Sequence, residues 1–194
     1  PLSGTWAGVA PMAEGRVFHT ATMLTSGRLL VAGGVTSTAE GVATSELFDP
    51  ETGSWSPADV MTTSRAFHTA THLQDGRVLV AGISPGGARH ASAEVFNPAT
   101  GSWSPVANMA VGRSHAIATL LPSGAVLVSG GGTVNTAEMF NPTTEQWEPA
   151  GAPSVNRQSH AATLLPDGKV LVSGGSITGG TTFLASTELF DPST

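Results

Sequence analysis

Short apolar runs punctuated by turn residues, rather than long amphipathic stretches, set the pattern of this chain. The runs Leu29–Ala32, Val78–Ala81, Val126–Val128 and Val170–Val172 are continuous aliphatic segments, the pattern of a strand buried on both faces. Ahead of each lies a segment mixing small, polar and apolar positions, as in His68-Thr69-Ala70-Thr71-His72-Leu73. The two are joined by Ser26-Gly27, Asp75-Gly76, Ser123-Gly124 or Asp167-Gly168, dipeptides that close hairpins. Each run is then answered by Glu, an apolar residue, Phe, Asp or Asn, and Pro, beginning at Glu46, Glu94, Glu138 and Glu188. A turn and a tryptophan follow the first three of these. Each unit is therefore predicted to hold four antiparallel strands, a to d, and helix is expected to be nearly absent.

The units repeat at a period close to 48 residues, since Trp6, Trp55, Trp103 and Trp147 lie 49, 48 and 44 residues apart. Periods of this length belong to propellers and solenoids. Four four-stranded units over 194 residues give an all-β, single-domain β-propeller, with blades predicted at about 16–57, 65–105, 113–149 and 157–192. A glycine pair follows strand b at Gly33-Gly34, Gly130-Gly131 and Gly174-Gly175, and the second unit departs with Gly82-Ile83. A backbone role in close approach of neighbouring blades accounts for these glycines better than a phosphate cradle does.

These features resemble the Kelch repeat: the glycine pair after strand b, the Glu and aromatic residue on strand c, and the Trp on strand d. The details are closest to the bacterial form of that motif, as in Arg157-Gln158-Ser159-His160 followed by Lys169 to Gly175, within the galactose-oxidase-like propeller superfamily. The resemblance covers essentially the whole chain and implies closure of the ring by strands from both ends. The chain opens on a strand d around Trp6 and ends on a strand c at Phe190, so residues 3–9 are expected to complete the last blade. A closed four-bladed monomer is the favoured reading. The alternatives are two chains sharing an eight-bladed homodimeric ring by the same strand exchange, or a fragment cut from a longer propeller.

Composition narrows the chemistry. A net charge of -6 lacks the basic footprint of a nucleic-acid binder, and no run approaches the roughly 18 apolar residues of a membrane span. No nucleic acid or membrane partner is expected. The sequence does not indicate a compartment. Zero cysteine and zero tyrosine rule out thiol chemistry and the cysteine-linked tyrosine radical of the copper oxidases that share the resemblance.

Arg16, Arg65, Arg113 and Arg157 are the conspicuous cations. Each is followed by a histidine, at three residues for His19, His68 and His160 and at two for His115. Placed where strand a begins, they should ring one mouth of the channel, where guanidinium groups would offer forked donors to an anionic ligand and imidazoles could take a metal or a proton. A buried Arg–Glu–His set in each blade, using Glu46, Glu94, Glu138 or Glu188, is the competing and favoured structural reading. Positions that break the symmetry point to recognition: Arg89 and His90 in the b–c loop of the second unit, Phe183 in that of the fourth, and His72 where the other units have Met23, Thr119 and Leu164. Loops on a rigid scaffold commonly carry binding.

No catalytic residue, metal or cofactor is predicted. The sequence reads as a non-catalytic scaffold that recognises a protein, peptide or glycan through loops at one mouth. The alternatives are the propeller part of a carbohydrate- or small-molecule-processing enzyme, or a trimmed or engineered propeller without a ligand.

Overall fold

The computed structural model describes residues 4–38, 41–82, 90–132, 135–177 and 180–194. Among them lie fifteen β-strands in four antiparallel sheets, and no α-helix. The first blade is β1 (Thr20–Met23), β2 (Leu29–Ala32), β3 (Ser45–Asp49) and β4 (Ser54–Pro57); the second is β5 (Thr69–His72), β6 (Val78–Ala81), β7 (Ala93–Asn97) and β8 (Ser102–Val106). The third is β9 (Ile117–Leu120), β10 (Val126–Ser129), β11 (Ala137–Asn141) and β12 (Gln146–Pro149); the fourth is β13 (Ala161–Leu164), β14 (Val170–Ser173) and β15 (Thr187–Phe190). Strands neighbour one another in chain order within every sheet, which is the meander of a propeller blade.

Local chemistry explains each corner. Asp75-Gly76 turns β5 into β6, with the Gly76 amide donating to the Leu73 carbonyl at 3.0 Å and φ at +89°, a region that favours glycine. The residue ending the strand-c motif accepts a backbone amide two residues on, at 2.9 Å for Asp49, Asn97 and Asn141 and 3.0 Å for Asp191. That Asx geometry makes the turn toward strand d. Register then sets Phe48 opposite Trp55, Phe96 opposite Trp103 and Phe140 opposite Trp147, with ring centroids 5.0–5.1 Å apart.

The core lies between blades. Leu30, Val78, Val80, Phe96 and Trp103 join the first blade to the second, while Leu79, Val95, Val126 and Phe140 join the second to the third. Leu121, Leu127, Val170 and Val172 join the third to the fourth. The second strands of the two middle blades, β6 and β10, are buried at every residue, because each has a blade on both sides. The innermost strands adjoin in the order β1, β5, β9, β13.

The expected completion of the last blade by residues 3–9 is not formed among the described residues. The fourth sheet has three strands, residues 4–9 make no strand, and Trp6 is fully exposed. The close approach that joins β1 to β5, β5 to β9 and β9 to β13 is not matched between β13 and β1, so the two ends are not brought together to pair. The N-terminal segment instead follows the first blade, where the Trp55 indole donates to the Ala10 carbonyl at 2.9 Å.

Candidate functional site

β1 opens at Thr20 opposite Ala32, the last residue of β2, and the other blades share this register. The segments that enter strand a therefore lie at the same mouth as the b–c loops. Arg16, Arg65, Arg113 and Arg157 sit in those segments with side chains only 0–1% exposed. Each guanidinium turns into its own blade. Arg65 donates through Nη1 to the Gly82 and Ser92 carbonyls at 2.9 and 2.8 Å, and through Nη2 to Glu94 Oε1 at 2.9 Å.

The same clamp recurs as Arg16–Glu46 at 2.8 Å, Arg113–Glu138 at 2.9 Å and Arg157–Glu188 at 2.7 Å. The second carboxylate oxygen is also occupied. It accepts the amide of Ala13, Thr62, Ala110 or Ser154, at 2.8, 2.7, 2.6 and 2.5 Å. One Glu thus ties the guanidinium to the chain arriving from the preceding unit, leaving neither charge unpaired in the blade. Burial pushes the Glu188 carboxyl up, but the Ser154 amide and Arg157 outweigh it and hold it below its ordinary value.

Residues 65–110 match the Kelch motif, a stretch that begins on the clamping Arg65 and contains Glu94, Phe96 and Trp103. The chain carries a Kelch repeat. No curated protein matches it. The clamp and the Phe–Trp pair of the matched Kelch unit recur in the other units, apart from the tryptophan of the fourth blade.

In these Kelch blades the histidines do not join the Arg–Glu clamps. His68 Nε2 lies 2.9 Å from Thr20 Oγ1 of the first blade, and His160 Nε2 lies 3.1 Å from Ser129 Oγ of the third. They bridge neighbouring blades. Burial, with Arg65 and His19 adding repulsion, pushes the His68 pKa down to about 3. Burial and Arg157 push His160 down to about 4. Both are neutral near pH 7, and His19 is half-buried on the first blade.

His115 belongs to a different set. It occupies the position of Phe18 and Phe67, two residues after the clamping arginine, and Ala116 stands where the other Kelch blades have histidine. This shift also makes Leu120, rather than Thr119, the partner position of His72, Met23 and Leu164. Phe18, Phe67, His115 and Ser159 all have left-handed backbone, at φ of +58°, +53°, +55° and +51°, a conformation costing non-glycine residues about 1–2 kcal/mol each. Neighbouring blades hold them there. The Phe67 amide donates to the Phe18 carbonyl at 3.1 Å, His115 to Phe67 at 3.3 Å, and Ser159 to His115 at 3.0 Å.

Their side chains form a row across the mouth. Phe18 stacks on Phe67 with centroids 3.9 Å apart and planes at 28°, and Phe67 meets the His115 ring at 4.5 Å and 32°. Phe18 is 53% exposed, and His115 and Ser159 are exposed. Sequence reasoning singled out His115 but missed Phe18, Phe67 and Ser159. The one available signal was the shortened Arg-to-His spacing of the third unit.

Of the loop residues, His90 is exposed and Phe183 is 83% exposed, the latter beside a bridge to Ser176. Arg89 lies outside the described residues. His72 is half-buried on β5 opposite Val78. Among the described residues no three His, Asp or Glu side chains gather as a metal-binding group.

Proposed function

We propose that this Kelch scaffold is a non-catalytic binding module that takes up an extended segment of a partner protein at the mouth lined by Phe18, Phe67, His115 and Ser159. The observation that carries the reading is the row itself. It is built from three exposed side chains and the half-buried Phe67, on backbone held in a costly conformation by hydrogen bonds between blades, and such strain clusters at functional sites.

Ring orientation favours peptide over glycan. Sugars stack on free aromatic faces, whereas the faces between Phe18 and Phe67 are turned to each other, leaving edges and one outer face for apolar side chains and carbonyl oxygens. His115 and Ser159 add polar partners, and His90 and Phe183 stand on loops at the same mouth. The fate of the acids supports the non-catalytic part, because Glu46, Glu94, Glu138 and Glu188 have both oxygens occupied in the clamps.

The test is selection of short random peptides on the immobilised chain, followed by affinity measurement against Phe18→Asn. Asparagine tolerates left-handed backbone, so the variant keeps the fold. Loss of about thirtyfold or more, the scale of an aromatic hot spot, is the expected result. Peptides that bind the variant equally well, or selection of glycans but no peptide from parallel arrays, would overturn the reading.

A further inference from the structure

We infer that the mouth row is gated by acid: proton uptake by His68 and His160 parts the two blade joints that seat Phe67 and Ser159, and so takes the row apart. The inference deepens the reading of the row as a binding surface and rests on it for the purpose of the gate.

The first observation is where the two rings lie. His68 and His160 are 8% and 6% exposed, and each is pressed against the blade before its own. A Cβ on Gly33 would lie 2.9 Å from His68 Cε1, and one on Gly130 would lie 2.7 Å from His160 Cε1, so the glycine after strand b leaves the room that the ring fills. Each ring has one polar tie across its joint, from Nε2 to Thr20 Oγ1 or to Ser129 Oγ. Nδ1 of both is buried without a hydrogen-bond partner among the described residues. A neutral imidazole can leave Nδ1 bare, but an imidazolium carries a donor on both nitrogens, and the second N–H would meet no acceptor there.

The second observation is the charge around them. His68 faces Arg65 of its own segment and His19 of the first blade, and His160 faces Arg157. The other charged or titratable side chains on the packed segments are Arg16 and Arg113 in their clamps, Glu14, which is turned to Arg16 and Thr44, His115 across from Ser159, and His72 at the far end of β5. No clamping carboxylate is left to receive a proton's charge, since Glu46, Glu94, Glu138 and Glu188 are held by arginine and backbone amides. Burial first, and then the neighbouring arginines, hold the closed pKa at about 3 for His68 and about 4 for His160, against an ordinary 6.5. Below that ordinary value a released ring takes a proton that the closed joint excludes, so acid favours opening.

The third observation links joint to row. Phe67 and Ser159 immediately precede the two histidines, and their left-handed backbone is held by amides donated across the same joints, to the Phe18 carbonyl at 3.1 Å and the His115 carbonyl at 3.0 Å. A ring that leaves its joint therefore unseats the row residue beside it, and the strained backbone relaxes. The middle joint is built differently. Ala116 takes the histidine position, and Arg77 of the second blade donates to Glu145 and to the Pro142 carbonyl of the third at 2.5 and 2.7 Å.

Native-state hydrogen exchange, with each rate converted to an opening constant by the intrinsic rate at that pH, reads the gate on the free chain. Gly34 and Phe67 report the first joint through their bonds to the Arg65 and Phe18 carbonyls, and Gly131 and Ser159 report the other through those to Arg157 and His115. Their opening constants should rise about tenfold per pH unit below about pH 6.5, and should exceed those of the amides in the fully buried β6 and β10. His68→Gln should remove the rise at Gly34 and Phe67 and leave it at Gly131 and Ser159; His160→Gln should do the reverse. A selected peptide should lower all four constants. Flat constants, equal constants and slopes in β6 and β10, a rise at Gly34 and Phe67 that survives His68→Gln, or a peptide that binds without slowing the four amides would each overturn the proposal. A failed peptide selection strikes the binding reading alone, because the acid slopes are read without a peptide.

Discussion

Arg65 and Glu94 meet at 2.9 Å with side chains 0% and 1% exposed, in the middle of a blade that has neighbours on both sides. The pair defines what the repeated charges of this chain do. They fasten the chain arriving at each blade to strand c, and the arginines that ring the mouth in sequence are turned away from it.

Breaking that pair from one side leaves a buried cation without its partner, which costs about 3–5 kcal/mol. Glu94→Gln should therefore lower the urea midpoint sharply. Glu188→Gln should cost less, because the Glu188 side chain is 24% exposed and water can solvate what the substitution uncovers. Equal losses for the two would contradict the dependence on burial.

Stability should fall as pH drops below about 6.5. The native pKa values of His68 and His160 lie at about 3 and about 4, below the ordinary 6.5, so the unfolded chain binds protons that the native chain excludes. The stabilisation is complete above the ordinary value. Each histidine removes about 1.4 kcal/mol per pH unit on the way down to its native pKa. Asp191, held at about 2 by bonds from Ser193 and by Lys169, enters only below its ordinary 3.8. Denaturant titrations from neutral to mildly acid pH should show this slope, reduced in His68→Gln.

The glycines after strand b should not be equivalent. Gly82 and Gly174 both have left-handed backbone, at φ of +94° and +65°, but a Cβ on Gly82 would lie 2.8 Å from the Arg113 carbonyl oxygen. Gly82→Ala should cost clearly more than the roughly 1–2 kcal/mol of backbone strain. Gly174→Ala should cost only that strain, because the nearest atom to its Cβ is the Leu184 carbonyl oxygen, 3.6 Å away. The urea midpoints of the two variants, compared side by side, check the difference; equal losses would contradict it.

The blades were legible in the sequence because each is a local object. Hairpin dipeptides, aliphatic runs and the Glu-to-Pro motif fix four strands within about 48 residues, and strand pairing follows from them. Ring closure was not legible. It depends on the angle between blades, which is summed over the interblade packing of residues such as Leu30, Val78 and Phe96 and appears in no single motif. The clamp was half legible: the Arg and Glu partnership follows from their joint repetition, whereas the histidines bond to hydroxyls of another blade at Thr20 and Ser129. The mouth row was hidden because Phe18, Phe67, His115 and Ser159 share a backbone conformation and not a residue type.

The most direct check on the mouth as the binding surface is the fluorine spectrum of the chain labelled at its seven phenylalanines, recorded as a selected peptide is added. Phe18 and Phe67 should shift, while Phe96 and Phe140, fully buried between blades, should stay in place. A spectrum in which Phe18 and Phe67 hold still while Phe183 alone moves, or in which no signal moves on saturation, would contradict the claim that the aromatic row is where this scaffold binds.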